Sequence, residues 1–570
     1  MIQLANEICW FSCEAFITLA KKYAMYKLLM LSIMTLVACT SSKKGVDLLV
    51  KDATIYTVDD RFSTCTAFVV KDGRVVDTGS AEEMEKRYNA EETLSLEGKY
   101  VYPGWIDAHC HFVGYGKSLS AVDAAGTSSV DEIIALLKKH QANMPGSSPD
   151  TWITGRGWDQ NDWEVKEFPD RSMLDEHFPD TPILLRRIDG HAAWANTRAL
   201  ELAGVTAASK VDGGTVILKD GEPTGVFIDN AIDLVSSKVP DVTEEQIAQA
   251  LRDAQKNCFQ VGLTSVNDAG LPMRGVKLID SMHRSGELKM RINAWLSPTE
   301  ENYTHFVEKG PYRTDQLSVN TIKLFTDGAL GSRGALMLEE YSDDHGNHGL
   351  LLTPLDKLEE LSRRAYEHNF AIATHCIGDS ANRETLKIYA EILGGKNDRR
   401  WRIEHAQIIH PDDFHYFGDY NIIPSVQSTH ATSDMYWADE RIGEERLKGA
   451  YAYKQLLEEN GWIPNGSDFP VEQINPLFGF YAAVVRKDQS GYPDNGFQTE
   501  NAITREEALR AMTIWAARAA FEEDLKGSLE KGKLADFVVT SKDLMTAPEE
   551  ELFSITVDAT YSGGEVVFER

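Results

Sequence analysis

The stretch "GWIDAHCHFVG", residues 104–114, closes an apolar run with two histidines around a cysteine. A short apolar run beside a glycine and a proline reads as a buried strand. Residues two apart in a strand share a face, so His109 and His111 project together and Cys110 projects the opposite way. Two imidazoles on one face suit a divalent transition metal. A small thiol on the other face suits packing against helices. An H-x-H pair alone is a weak signal, equally readable as a polar patch on a loop. Its meaning depends on what the other strands end in.

Working outward, seven more runs of the same kind follow "VYPGWIDAH" (101–109). They are "VGLTSVNDAG" (261–270), "MRINAWL" (290–296), "NTIKLFTDG" (320–328), "FAIATHCIGD" (370–379), "RWRIEHAQ" (400–407), "NIIPSVQST" (421–429) and "GWIPNGSDFP" (461–470). Helical stretches fit between several of them. "TEEQIAQALRDAQKN" opens with a capping box, Thr243 and Gln246, and "TREEALRAMTIWAARAAF" with another, Thr504 and Glu507. Eight strand–helix repeats predict an α/β chain with a (β/α)8 TIM barrel over residues 101–525.

The connection after the first run is about 150 residues long, too long and too patterned for a loop. It predicts an inserted lid or subdomain within 112–255. Short alternating runs and turns fill 46–100, and similar ones fill 526–570. They predict a small β-sandwich domain built from both termini.

In such a barrel, reacting groups stand at the C-terminal ends of strands. The first run ends in His109 and His111, the fourth carries Lys323, the fifth ends in His375, the sixth in His405 and the eighth in Asp468. Each has a bland reading. Lys323, inside "TIKLF", could form a salt bridge or snorkel. It could also be carbamylated, which would turn a lysine of depressed pKa into a bridging carboxylate. His375 and His405 could be satisfied core histidines, and Asp468 a helix N-cap. Their recurrence at one rim favours a metal site. "YSDDHGNHG" (341–349), with His345 and His348, reads better as a surface turn than as a second site.

Charge narrows the partners. Against 58 Lys and Arg stand 88 Asp and Glu, a formal net charge of −30 with no basic stripe, which disfavours nucleic acid. The seven cysteines show neither a disulfide framework nor a paired C-x-x-C zinc knuckle. Residues 25–38, "MYKLLMLSIMTLVA", put a lysine before a short apolar run, the pattern of a secretory leader. Cys39 follows in "LVAC", which resembles a bacterial lipoprotein box. Residues 1–39 are therefore expected to be a leader, with translation starting at Met1 or Met25 and the mature chain starting near Cys39. A lipid on Cys39 would be the only membrane contact, holding the protein outside the cytoplasm.

The motifs "PGWIDAHCH", "IKLFTDGALGSRGA", "THCIGD", "RIEHAQ" and "NGSDFP" resemble the amidohydrolase superfamily, in the amidohydrolase 3 branch that includes N-substituted formamide deformylase. "GWDQNDWE", "DGHAAWANTRAL" and "GEPTGVFIDNA" in the insertion fit the same branch, and the likeness runs from 46 to 570. The resemblance implies that His109 and His111 hold the more buried metal, that Lys323 is the carbamylated bridge, and that His375 and His405 hold a second metal. It implies that Asp468 is the general acid/base and touches a metal. One or two divalent ions, Zn²⁺ first, are expected, with carbon dioxide needed for carbamylation if two bind. Trp158, Asp159, His191, Arg333 and His430 are candidate substrate contacts, with lid packing as the alternative.

The expected reaction is hydrolysis of an amide or formamide-like C–N bond in a small molecule. A cyclic imide, carbamate or ester at the same site is the alternative. A non-catalytic binding lipoprotein fits less well, because the donor set is complete. Beyond substrate, the only protein partner expected is a second copy, as a homodimer.

Overall fold

The computed structural model describes residues 18–27, 43–143 and 151–570. Cys39, most of the apolar run before it, and Cys9 and Cys13 lie outside the described residues. No helix among the described residues is long and apolar enough to cross a membrane.

Seven parallel strands follow one another in chain order around the barrel. They are β1 (Trp105–Cys110), β2 (Leu263–Leu271), β3 (Arg291–Leu296), β4 (Leu317–Phe325), β5 (Ala371–Cys376), β6 (Arg402–His405) and β7 (Ile423–Ser425). Nearly every residue of these strands is buried, as strands covered on both sides require. The eighth expected strand, 461–470, forms no regular strand. It is held instead by a single bridge, Asn465 to Val426, and by backbone bonds to β1 and its end: Asp468 N to His109 O at 2.8 Å and His111 N to Phe469 O at 2.7 Å. Gly466 permits that approach, since a Cβ there would lie 2.4 Å from His109 N. The ring is thus closed by an irregular segment that presses Asp468 against the histidine pair.

Two further expectations need correction. The run at 101–109 divides at Gly104, and Tyr100–Pro103 leaves the barrel to pair with Phe537–Thr540. The helix expected after residue 504 is two helices, Arg505–Ala511 and Ile514–Ala519, because Thr513 takes a non-helical φ of −137°. Both capping boxes form as read, Thr243 with Gln246 and Thr504 with Glu507.

The two ends of the chain share one hydrogen-bonded sheet, rather than two separate sheets. Lys44–Tyr56, Thr64–Lys71, Arg74–Gly79, Tyr88–Ser95 and Tyr100–Pro103 join Phe537–Thr540, Val557–Ser562 and Glu565–Glu569. Phe68 meets Phe537 edge to face at 5.2 Å across it, so the sheet folds over its own core. Asp72 and Gly73 turn the hairpin with φ of 52° and 73°, which only an Asp-Gly type of turn accepts easily. A buried pair ties this sheet to the barrel: Arg291 on β3 donates to Asp536 from Nε at 2.6 Å and from its second amine at 2.8 Å.

The insertion between β1 and β2 builds its own sheet. Its order is Gly214–Lys219, Glu222–Asp229, Ala192–Ala195, Ile183–Arg187, Ile153–Trp158 and Val122–Asp123. A separate apolar core fills one face, with Trp158, Trp163 and Trp194 at its centre.

Candidate metal centre and the family it belongs to

β1 delivers His109 fully buried, and His111 follows where the strand gives way to the helix Phe112–Ser118. Their Nε2 atoms converge on one oxygen of Asp468, at 3.4 Å and 3.3 Å. Cys110 points away into the apolar core, its thiol 3.4 Å from the Asn267 carbonyl, as strand alternation requires.

Hydrogen bonds fix which nitrogen of each ring faces the centre. Nδ1 of His109 donates to Glu404 at 2.6 Å, leaving Nε2 inward, where the Lys323 ammonium reaches it at 3.1 Å. Arg402 pairs with Glu404 at 2.7 Å and donates to Ala108 O and Ser425 Oγ. A carboxylate behind an imidazole orients it and raises its basicity as a ligand. His111 Nδ1 donates to the Ala269 carbonyl at 3.2 Å, which likewise turns Nε2 inward.

His405 breaks the strand rule. Glu404 and His405 are neighbours, yet both reach the same interior. The left-handed backbone of His405, φ 72°, swings its ring to 5.1 Å from that of His109. Asp468 also sits at a positive φ, 60°. Such conformations cost an L residue about 1–2 kcal/mol each and collect at functional sites.

Among the described residues, two groups of donors lie close enough to share an ion: His109, His111 and Asp468, and His405, His430 and Asp468. His430, read from the sequence as a substrate contact, is therefore placed among ligand-type groups. His375 joins neither group. It stands beside His405, ring centres 4.5 Å apart, with Nε2 toward the Gly328 carbonyl at 3.3 Å. Lys323 is buried with no carboxylate at ion-pair distance among the described residues.

Electrostatics follow from burial. Burial pulls Lys323 down to about 8, against the pull of Glu404 and Asp468. It pulls His109 down to about 4, helped by Lys323, and holds His375 and His405 well below the ordinary histidine value. Asp468 stays well below the usual carboxylate range although burial opposes it, because imidazoles surround it. For His109, His375 and His405 beside Asp468, neutral imidazoles and an ionised carboxylate are the protonation states that metal binding requires. His430 differs, because, against burial, Asp468 and Glu472 raise it to about 10 and favour an ion pair over ligation. Asp468 Oδ1 and His405 Nδ1 are buried without a hydrogen-bond partner. The residues present therefore fit a divalent cation.

The remaining substrate candidates separate. Asp159 and His191 line the cavity over the centre; His191 bonds Asp229 at 2.6 Å and packs on His375. Trp158 is wholly buried, its indole N–H bonded to Leu185 O, and packs the insertion's core instead. Arg333 pairs with Asp343 at 2.8 Å and does not line that cavity. His345 is an exposed turn residue bonded to Glu340. Sequence reading passes over Glu404 and Arg402. Their signal is two opposite charges, two apart, in a strand that must be buried. It passes over Asp327 too, which accepts three backbone N–H bonds from Leu336, Ile377 and Gly378 and is raised by burial to about 7.

A profile of the amidohydrolase family matches residues 92–568. The chain belongs to the amidohydrolase family. This amidohydrolase is 35% identical over 541 residues to Protein LONG AFTER FAR-RED 3 of Arabidopsis thaliana, covering 92% of this chain and 91% of that protein. It is 27% identical over 549 residues to the N-substituted formamide deformylase of Arthrobacter pascens, covering 92% and 98%. An uncharacterized metal-dependent hydrolase from Pyrococcus horikoshii OT3 shares the fold with a TM-score of 0.71 and 28% identity, over 88% of this chain and 99% of that one. The barrel is shared with a metal-dependent hydrolase, and the donors gathered around Asp468 could hold a metal ion.

Proposed function

We propose that this amidohydrolase cleaves an amide or formamide-like C–N bond with water, using Asp468 as general base and then general acid. The observation that carries the reading is Asp468 Oδ1, buried, ionised and unpartnered between the Nε2 atoms of His109 and His111.

His109, His111, His405 and Asp468 would hold the ion or ions, with His375 alongside, His430 joining only once it gives up its proton, and Lys323, once carbamylated, offering a bridging carboxylate. A divalent ion held there, Zn²⁺ by its taste for imidazole, would lower the pKa of water toward ~7 and would polarise a carbonyl. Asp468 accepts a proton from the attacking water and returns it to the nitrogen as the C–N bond breaks. Glu404, held by Arg402, keeps His109 in one tautomer throughout. His191, locked by Asp229, faces the same cavity and can donate to a substrate oxygen.

Asp468→Asn is the test. The variant should fold and keep most of its metal while turnover of N-formyl amines falls by at least about 100-fold. Near-normal turnover would reject the role. The leader-like pattern of residues 25–39 supports a further proposal, attachment to a membrane outside the cytoplasm through Cys39. Cys39→Ser should release the protein from the membrane fraction, and its retention there would refute the anchor.

A further inference from the structure

Two cavities meet at the metal centre, and they share Asp189, His191, His375, His405, Asp468 and Val471. The smaller, about 180 Å³, is rich in acids, yet its buried acids are already engaged. Asp159 and Asp189 bind Arg187, Asp434 accepts from Tyr451 and Gln407, and Glu472 accepts from Ser433 and pairs with His430. The larger, about 730 Å³, is lined by Lys117, Arg156, Arg186 and Arg274, of which Arg274 is already paired with Asp241 at 3.4 Å.

Arg156 and Arg186 stand directly opposite each other on parallel strands of the insertion, Ile153–Trp158 and Ile183–Arg187. Alternation sends Thr154 with Arg156, and Leu184 with Arg186, toward the cavity, while Ile153 and Leu185 enter the insertion's core. Like charges directly opposite are unfavourable in a sheet. Among the described residues, nothing neutralises these two by contact. Arg156 donates there only to the backbone carbonyls of Pro470 and Ile188. Arg186 makes no hydrogen bond or ion pair among the described residues. Asp123, Asp189, Asp233 and Asp468 act on the pair only through space. Two half-buried guanidiniums that lack a carboxylate, facing a cavity that opens on the metal centre, are complementary to an oxyanion.

We infer that the larger chamber is an oxyanion subsite in which Arg186 and Arg156 hold a carboxylate or phosphate carried by the substrate. The inference rests on the proposed amide hydrolysis and names its substrate class: amides bearing an anionic arm. The Arg156 bond to the Pro470 carbonyl also ties this subsite to the segment that carries Asp468.

Metal-reconstituted protein should be assayed with N-formylphenylalanine and with N-formyl-2-phenylethylamine, which lacks the carboxylate. The expected kcat/KM favours the acid by about tenfold or more, the worth of a charge-assisted hydrogen bond. Arg186→Ala should erase most of that ratio and Arg186→Lys should restore part of it. Equal kcat/KM for both amides in the unaltered protein would overturn the subsite and leave amide hydrolysis standing.

If neither amide is cleaved, the hydrolytic reading fails for these substrates, and binding decides the subsite on its own. Calorimetric titration with 3-phenylpropionate and with phenyl phosphate should show a Kd weakened about tenfold by Arg186→Ala for at least one of them. The larger loss identifies the preferred anion. Identical Kd values in both proteins would mean that metal alone holds the anion and would overturn the proposal. Arg186 breaks no bond when removed, so the variant should fold normally.

Discussion

Lys323 Nζ lies 3.1 Å from Nε2 of His109, and no carboxylate neutralises it among the described residues. An ammonium so enclosed is costly, and burial brings it down to about 8. The amine is thus within reach of carbon dioxide near neutral pH, and a carbamate there would face the donors around Asp468. Lys323→Met should abolish binuclear metal content and most activity, whereas Lys323→Glu should recover part of the metal. Metal analysis by mass spectrometry, with and without bicarbonate during reconstitution, checks this. Full metal content in Lys323→Met would exclude the bridging role.

Cys110 and its neighbours test the strand geometry. Cys110→Ser should keep metal and turnover, because the thiol faces Asn267 and the apolar core. His109→Ala and His111→Ala should each lose metal and reduce kcat by at least about 100-fold. Loss of metal in Cys110→Ser would contradict the orientation.

The Arg291–Asp536 pair should hold the terminal sheet to the barrel. Both side chains are buried, and Asp536 Oδ1 also accepts from Gly563 N at 2.7 Å. Asp536→Ala would strand a buried guanidinium and should cost about 3–5 kcal/mol. Urea unfolding reads this directly, and a loss under about 1 kcal/mol would show that the pair is dispensable.

His283 should add a pH dependence to stability. Burial lowers its pKa below the ordinary 6.5, while Nε2 bonds the Met290 carbonyl at 2.9 Å. The unfolded chain therefore binds the proton more readily. Its contribution is complete above pH 6.5 and is lost as the pH falls below that value toward the folded pKa. His283→Gln should flatten the fall in melting temperature between about pH 7 and pH 5. An unchanged slope would assign the acid sensitivity elsewhere.

Much of this arrangement is legible in the sequence. Recurring apolar runs give the barrel, and the polar residues in and at the ends of those runs give His109, His111, Lys323, His375, His405 and Asp468 as candidates. Local rules hold where local physics decides: the capping boxes at Thr243 and Thr504 form, and alternation buries Cys110. They fail where distant segments decide. Trp158 looks like a ligand contact in one dimension but fills the core of a separate sheet, and Arg333 is taken by Asp343.

The sequence by itself determined the strand order and the donor types, because both follow from hydrophobic periodicity and side-chain chemistry. Only the tertiary structure decided which donors meet. Alternation would send Glu404 and His405 to opposite faces, yet a left-handed turn at His405 brings both to His109. It likewise set Arg156 beside Arg186, thirty residues apart, where two strands pair. Backbone twist and strand pairing are products of the whole packed fold, and no local window of sequence contains them.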